Sequence, residues 1–356
     1  MKAETYKGHL MKHLFVLIII ALLLTGCSKK EDKPVIGKNQ FSADTSDIKT
    51  SPVDNPNEPF SLKYSYEKGK KYKYSLSLIS TDKQSMKTDT TINQNVKQNT
   101  YYLLEITPVE IDQDGTMELN AVITSVKVDV DANGRKLRYE SGVAKDTLDN
   151  VKFAEYECLV NNSFSLRVTK VGEILDIFRA DKIANKFLEL KGYADSLNAD
   201  QKAGVRKNML EGLIRPLMNQ IFRQVPGNTV AKDSSWSYKQ PATQMMVFTV
   251  QNTNIYKILN LEKYNNDKIA VISGSSNTLI AGNNKAVNQG ISYNFSRPVT
   301  SAGGKIYFDI TRGYVIKSKT NTLIESRVAM EGQSPKGKQK GERSETVENV
   351  YIVELL

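Results

Sequence analysis

Histidine is nearly missing from these 356 residues: only His9 and His13 occur, both ahead of Cys27. The rest of the chain has no imidazole for proton transfer near neutral pH, for the triads of serine and cysteine hydrolases, or for the usual zinc and iron sites. Cysteine is as scarce, with Cys27 and Cys158 alone. If Cys27 is otherwise engaged, neither a disulfide nor a cysteine metal cluster can form. Cys158 falls in the apolar-rich run Phe153-Ala154-Glu155-Tyr156-Glu157-Cys158-Leu159-Val160, which reads as a strand-like core segment with an inert thiol. The sequence carries no glycine-rich phosphate loop, zinc-ligand spacing or nucleophile elbow. The expectation is a chain with no cofactor, no metal and no catalytic residue. An enzyme built from it would have to run on carboxylates.

A long apolar run is missing too. The longest covers residues 14–24, eleven positions, which as a helix at ~1.5 Å per residue reaches about 16 Å, half of a hydrocarbon core. Lys12 and His13 precede it and Ser28-Lys29-Lys30-Glu31-Asp32-Lys33 follows, the polarity of an export signal. Leu24-Thr25-Gly26-Cys27 resembles the lipobox of bacterial lipoproteins. That resemblance implies a diacylglyceryl group on Cys27, cleavage in front of it, and residues 1–26 as a signal peptide; residues 1–11 are unusually polar for a leader, so Met11 is the expected start. It implies that the membrane is met through the lipid at Cys27. Lys30-Glu31-Asp32 resembles the lysine-plus-acids signal of surface lipoproteins in Bacteroidota, so the expected location is the outer membrane, facing the periplasm or the cell surface.

Residues 27–59 are dominated by Lys, Asp, Ser, Asn and Pro, with Pro34, Pro52, Pro56 and Pro59 and almost no large apolar residue besides Phe41. Such a composition buries too little to fold and predicts a flexible tether reaching roughly 30 Å. Residues 60–356 then read as one β-rich domain, with β halves at 60–178 and 228–356 joined by a helical segment at 180–224. Tyr72, Tyr74, Leu76 and Leu78 alternate with Lys71, Lys73, Ser75 and Ser77, and the same period of two marks 101–111, 119–130 and 164–177. Between 180 and 224 the period changes: Val205, Met209, Leu213, Leu217 and Ile221 recur every four residues, with Leu210, Ile214, Met218 and Phe222 beside them. Asn198 and Gln201 predict a capping box, Gly192 the end of a preceding helix, and Pro216 a kink. After Pro226 the strand signal returns at 236–238, 245–261, 268–279, 292–295, 306–310, 314–324 and 347–355. Residues 331–344 have no apolar side chain and read as a mobile hairpin loop. The halves echo one another: 102–106 and 119–123 resemble 256–261 and 269–272, and the turn around Gly172 resembles that around Gly313. The predicted fold is mainly β (α+β), a long curved antiparallel sheet or open half-barrel with a helical pair packed on one face.

Charge adds little. The formal net charge is +10, but the lysines are scattered among acids and Ser, Thr and Asn, a solvated surface and not a nucleic-acid site. Asp129-Val130-Asp131-Ala132-Asn133-Gly134 with Glu140 matches the spelling of a calcium loop. It lies on an alternating strand beside Arg135, Lys136 and Arg138, and reads as a hairpin turn. Asp176, Asp309 and Glu325 are candidate acids for a glycosidase-type pair, the first and second flanking the two glycine turns. Asp89-Thr90-Thr91, Asp146-Thr147-Leu148 and Asp195-Ser196-Leu197 resemble the O-glycosylation triplet of Bacteroidota.

Gly69-Lys70-Lys71-Tyr72-Lys73-Tyr74, the stretch from Pro226 to Trp236, and Gly304-Lys305-Ile306-Tyr307-Phe308-Asp309 with Gly313 resemble an uncharacterised family of Bacteroidota outer-membrane lipoproteins, which implies no known activity. Lys232-Asp233-Ser234-Ser235 departs from that family's Gly-Asp before Ser-Trp. The expected function is a non-enzymatic envelope binding module for an apolar or glycan ligand. The alternatives are a structural or assembly partner of an outer-membrane protein complex, and a carboxylate-based glycan hydrolase.

Overall fold

The computed structural model describes residues 41, 43–144, 146–334 and 337–356. The export signal, the lipobox and Cys27 lie outside the described residues. The chain is mainly β, with 57% strand and 14% helix. From the amino end come β1 (Ser51–Pro52), β2 (Phe60–Ser61), three long strands β3 (Tyr72–Lys87), β4 (Thr91–Ile111) and β5 (Met117–Ala132), then β6 (Arg135–Glu140). Two short helices, α1 (Thr147–Lys152) and α2 (Ala154–Glu157), lead to β7 (Ser163–Val168) and β8 (Ile174–Phe178). Next are α3 (Asp181–Leu190), α4 (Ala199–Met209), a π-helical turn (Leu210–Ile214) and α5 (Arg215–Ile221). The carboxyl-terminal strands are β9 (Thr229–Val230), β10 (Ser235–Lys239), β11 (Thr243–Met245), β12 (Phe248–Tyr264), β13 (Asp267–Ala281), β14 (Lys285–Asn288), β15 (Ile291–Phe295), β16 (Val299–Asp309), β17 (Tyr314–Ser334) and β18 (Gly337–Leu355).

Sixteen of these strands form one open antiparallel sheet in the order β12-β13-β16-β17-β18-β3-β4-β5-β7-β8, with β1, β10 and β11 along the outer side of β12. The path is a meander cut once. The chain enters at β3, walks to the edge at β8, is carried by α3–α5 to the other edge, and walks back to β18, which pairs with β3 from Leu355↔Tyr74 to Glu342↔Lys87. The two walks match in detail. β7–β8 and β16–β17 each turn on a glycine with positive φ, Gly172 (+83°) and Gly313 (+82°). Each carries a register shift that skips the residue three places later, Leu175 in one and Ile316 in the other. The echo in the sequence thus corresponds to equivalent hairpins.

Both glycine turns press on one extended segment, residues 62–66. Tyr64 N donates to Lys170 O at 2.7 Å and Ser65 N to Gly313 O at 2.9 Å. A Cβ on Gly313 would stand 2.7 Å from Ser65 N, and one on Gly172 would stand 2.4 Å from Arg223 O, so neither position tolerates a side chain. Leu62, Tyr64 and Tyr66 are buried while Lys63 and Ser65 are exposed, the alternation of a strand used as a wedge. The Tyr64 ring meets Phe308 edge-on at 5.2 Å and Phe222 at 5.4 Å, and Tyr66 meets Tyr72 at 4.5 Å.

This wedge and the helices cover one end of the sheet, here called the base, where Tyr74, Ile106, Leu119, Phe164, Phe308 and Val315 are all within 1% of full burial. At the opposite end, the rim, β3, β4, β16 and β17 are half-buried or exposed on both faces. Helix α4 opens with the expected capping box, Asn198 Oδ1 accepting from Gln201 N at 2.9 Å and Gln201 Oε1 from Asn198 N at 3.0 Å. The kink expected at Pro216 is taken up in the π turn just ahead of it, because proline removes a backbone donor and a wider turn absorbs the loss. Helix α3 ends at Leu190, and Gly192, just past the C-cap Lys191, takes φ +72°.

Three expectations are corrected. Residues 331–334 and 337–344 are strand and not loop: Glu331↔Lys340, Gly332↔Gln339 and Gln333↔Lys338 continue the β17–β18 ladder, held by cross-strand backbone bonds that need no apolar side chain. Residues 153–160 are not a strand; α2 lies there, with Cys158 N donating to Ala154 O at 3.0 Å and both residues, four apart, buried on the core side. The tether is shorter than 27–59: Ile48 packs on the outer-face cluster of Ile269, Val271, Tyr307 and Ile316, and β1 pairs with β12. Asp44 bonds Lys317 at 2.9 Å and Asp47 pairs with Lys305, so complementary charge anchors a segment whose own composition is too polar to fold.

Candidate functional site

The sequence-nominated carboxylates are far apart in role and place. Asp309 is fully buried at the end of β16, its Oδ1 accepting from Thr311 N at 2.9 Å and Arg312 N at 2.8 Å, and it shapes the Gly313 turn. Asp176 is exposed on β8 and Glu325 is exposed on β17, opposite Val299 and Thr346. No two of them share a cleft. The Asp129–Glu140 stretch is a hairpin: Asn133 and Gly134 have φ +53° and +85°, Asp131 Oδ1 accepts from Gly134 N at 2.7 Å, and Asp129 pairs with Lys127 at 3.2 Å. Among the described residues no group of three or more acids or thiols is arranged to hold a metal ion. Cys158 is fully buried, and burial pushes its thiol up to about 12, with Glu155 adding to the shift. At neutral pH such a sulfur is not a nucleophile.

What the fold does assemble lies on the helix-covered face, just beyond the helices toward the rim. Cross-strand register sets the rows. Val353, Leu76, Tyr102 and Val126 stand in line under α5, where Leu217 and Gln220 close over Leu76, Tyr102 and Val353 and leave a cavity of only about 10 Å³. One row further out run Trp236, Tyr256, Gly274, Gly304, Thr320 and Tyr351. Beyond that the face is polar: Asn254, Ser276, Thr322, Asn349, Ser80 and Gln98. Asn349 Nδ2 donates to Thr322 Oγ1 at 3.3 Å, and Gln98 Nε2 to Tyr156 OH at 3.0 Å. A period-two strand puts these side chains on one face once the base fixes which face is covered.

Where α5 ends, Arg223 reaches over this face. Its backbone is fixed by Tyr64, whose hydroxyl accepts from Arg223 N at 2.7 Å. Its Nη2 donates to Gln220 Oε1 and, at 3.1 Å, to Thr320 Oγ1. Its Nε is buried and has no hydrogen-bond partner among the described residues, and the same is true of Ser276 Oγ. Both groups line one half-open notch of about 50 Å³ whose floor is Gly274, Gly303 and Gly304 and whose walls include Asn254, Tyr256 and Ala302. Tyr256 stacks on Trp236 at 5.4 Å and 26°, and the indole Nε1 donates to Gln224 O at 3.0 Å, which ties the wall to the arginine's own loop.

A second polar group sits toward the rim on the same face. Gln84 Nε2 donates to Asp82 Oδ2 at 2.8 Å and to Glu345 Oε1 at 3.1 Å, bringing two carboxylates from adjacent strands together, with Arg343 Nη2 on Gln84 Oε1 at 3.1 Å. Burial pushes the Glu345 carboxyl up, against the pull of Arg343. Sequence reasoning named neither Arg223 nor this pair. The one available signal was Arg223 directly after an apolar helix face, where an uncompensated charge is out of place.

With this geometry in hand, the chain belongs to a family of unknown function, DUF6263, whose model matches residues 114–315. No curated protein matches it. Among solved structures it is similar to one described as lipid–protein interactions in lipovitellin, at 11% identity and TM-score 0.42, over 82% of this chain and 25% of that one. It is also similar to an outer membrane channel from Pseudomonas putida F1, at 8% identity and TM-score 0.18, over 86% and 100% of the two chains. A third is the outer membrane protein opdK from Pseudomonas aeruginosa, at 5% identity and TM-score 0.14, over 79% and 98%. The chain spans about a quarter of the lipovitellin chain. No helix among the described residues is long and apolar enough to cross a membrane.

Proposed function

We propose that this protein is a non-enzymatic lipoprotein of the bacterial outer membrane, anchored through a lipid on Cys27, that binds a glycan on the helix-covered face of its sheet. The lipobox Leu24-Thr25-Gly26-Cys27 supports the anchor. The observation that carries the ligand is the row of amide and hydroxyl side chains beside Tyr256 and Tyr351, an arrangement suited to sugar hydroxyls and the apolar faces of sugar rings. A glycan fits better than a lipid here. The apolar faces of the helices are spent on the sheet, and the cavities of about 50 and 10 Å³ at that boundary fall well short of the ~300 Å³ at which small-molecule pockets begin.

The test is binding of the full chain, purified in detergent, to an array of envelope and host glycans, with product analysis of each bound glycan. Binding that Tyr351→Ala and Asn349→Ala weaken, with no glycan turned over, is the expected result. An array with no bound glycan overturns the ligand. Intact mass showing Cys27 unmodified overturns the anchor. A second reading, docking to an outer-membrane protein, is favoured by Leu279 and Val299, 66% and 57% exposed. A partner retained in a detergent pull-down by the native chain and lost with Leu279→Ser supports it.

A further inference from the structure

We propose that the notch at Arg223 is a carboxylate-binding site, and that the ligand on this face carries its negative charge there; this rests on the glycan reading above and narrows it to an acidic sugar. The argument begins with the charge. Arg138, Arg167, Arg179, Arg215, Arg312 and Arg343 each hold a carboxylate. Arg223 does not: among the described residues its guanidinium meets only the neutral oxygens of Gln220 and Thr320. A guanidinium partly removed from water without a counter-charge is costly, and folds retain one where something else supplies the charge.

The donors define what that something is. Nη2 is spent inside the protein, and Gln220 and Thr320 hold the guanidinium plane in place, so the site is built before a ligand arrives. Nε–H of Arg223 and Oγ–H of Ser276 are both buried and both unspent, in the same notch. Buried donors without partners are rare in folded proteins, and two in one notch call for a common acceptor. A carboxylate offers two oxygens and the missing charge together. A neutral hydroxyl would satisfy one donor and leave the charge unanswered.

The floor makes room for it. Gly274 and Gly304 are register partners on adjacent strands, so the notch floor there is bare backbone. A Cβ on Gly304 would stand 2.4 Å from Lys319 O, which fixes glycine at that point. The Tyr256 ring, 3.4 Å from where a Gly274 Cβ would be, closes the side and offers a face to the sugar ring that bears the acid.

The experiment uses the full chain in detergent and measures melting-temperature shifts and dissociation constants with four probes: oligogalacturonate, its methyl ester, acetate and inorganic phosphate. The sugar acid is expected to bind at least about tenfold more tightly than its ester, the worth of a hydrogen-bonded charge, and to outbind phosphate. Ser276→Ala removes a hydroxyl that has no partner among the described residues, so it leaves the fold intact and is expected to weaken the sugar acid by several-fold. Arg223→Met is expected to abolish the preference for acid over ester while the ligand-free protein melts at an unchanged or higher temperature, as for a charge kept for binding and not for stability. Equal binding of acid and ester overturns the carboxylate site and leaves the glycan reading standing. Tighter binding of phosphate overturns the carboxylate assignment. No shift with any of the four probes also overturns it, and the glycan reading then rests on the array alone.

Discussion

The same strands lead two lives. At the base, β3, β4, β16 and β18 are pinned between the 62–66 wedge, the helices and the strap at 44–53; at the rim, they continue with mostly polar side chains on both faces and few contacts beyond the ladder to hold them. Strand β4 shows both in one element, with Leu104 and Ile106 at 1% and 0% exposure and Ile92 at 59%. The difference teaches that a long sheet need not be a long core. Base packing sets the register, and register alone then carries the polar rows outward and places Asn349, Thr322 and Ser276 on the face where the notch opens.

The comparison is most sharply tested by truncating one large side chain in each region. Phe308→Ala removes a ring with 1% exposure that Tyr64 meets edge-on, and is expected to cost ~3–5 kcal/mol in chemical denaturation. Ile92→Ala at the rim is expected to cost under ~0.5 kcal/mol. Equal costs would mean that the rim folds as part of the core. Turn glycines give the next contrast. Gly313→Ala adds steric conflict with Ser65 to positive φ and is expected to cost ~2–4 kcal/mol, whereas Gly134→Ala, with nothing within 4 Å of the new carbon, is expected to cost ~1 kcal/mol.

A smaller effect comes from the buried acid near the rim. Because burial raises the Glu345 carboxyl above its ordinary value, folding is opposed by its charge above that range and not below it. Glu345→Gln is therefore expected to raise the melting temperature at pH 7, with the gain disappearing as pH falls below the ordinary glutamate value of ~4.3. The strap shows the opposite sign. Lys317 and the amide of Ser46 hold the Asp44 carboxyl far below its ordinary value, so the strap's contribution is present at neutral pH and lost only as pH falls beneath the usual carboxylate range. Protection of the amides at residues 44–48, relative to their intrinsic exchange rates, that persists at pH 4 and is lost at still lower pH is the expected readout.

Much of the base was legible in the sequence because its signals are local. Alternation named β3, β4 and β5, the Asn198–Gln201 pair named the start of α4, and Pro216 named the break. The rim was not legible. The segment 331–344 has no apolar residue, and its strands exist because the β17–β18 pairing, once begun at the base, runs on through backbone bonds and the ion pairs of Glu331 with Lys338 and Lys340. The strap was missed for a related reason: its partners Lys305, Lys317 and Glu262 lie more than 200 residues away.

By itself the sequence determined what this protein lacks, which stretches are strands and where the helices lie, since each follows from residue type and a period of two or nearly four. The tertiary structure decided which face is covered, that two glycine turns meet one wedge, and that Arg223, Ser276 and Gly304 share a notch. Those residues come from a helix end and two strands, and only pairing across the whole length of the chain brings them together.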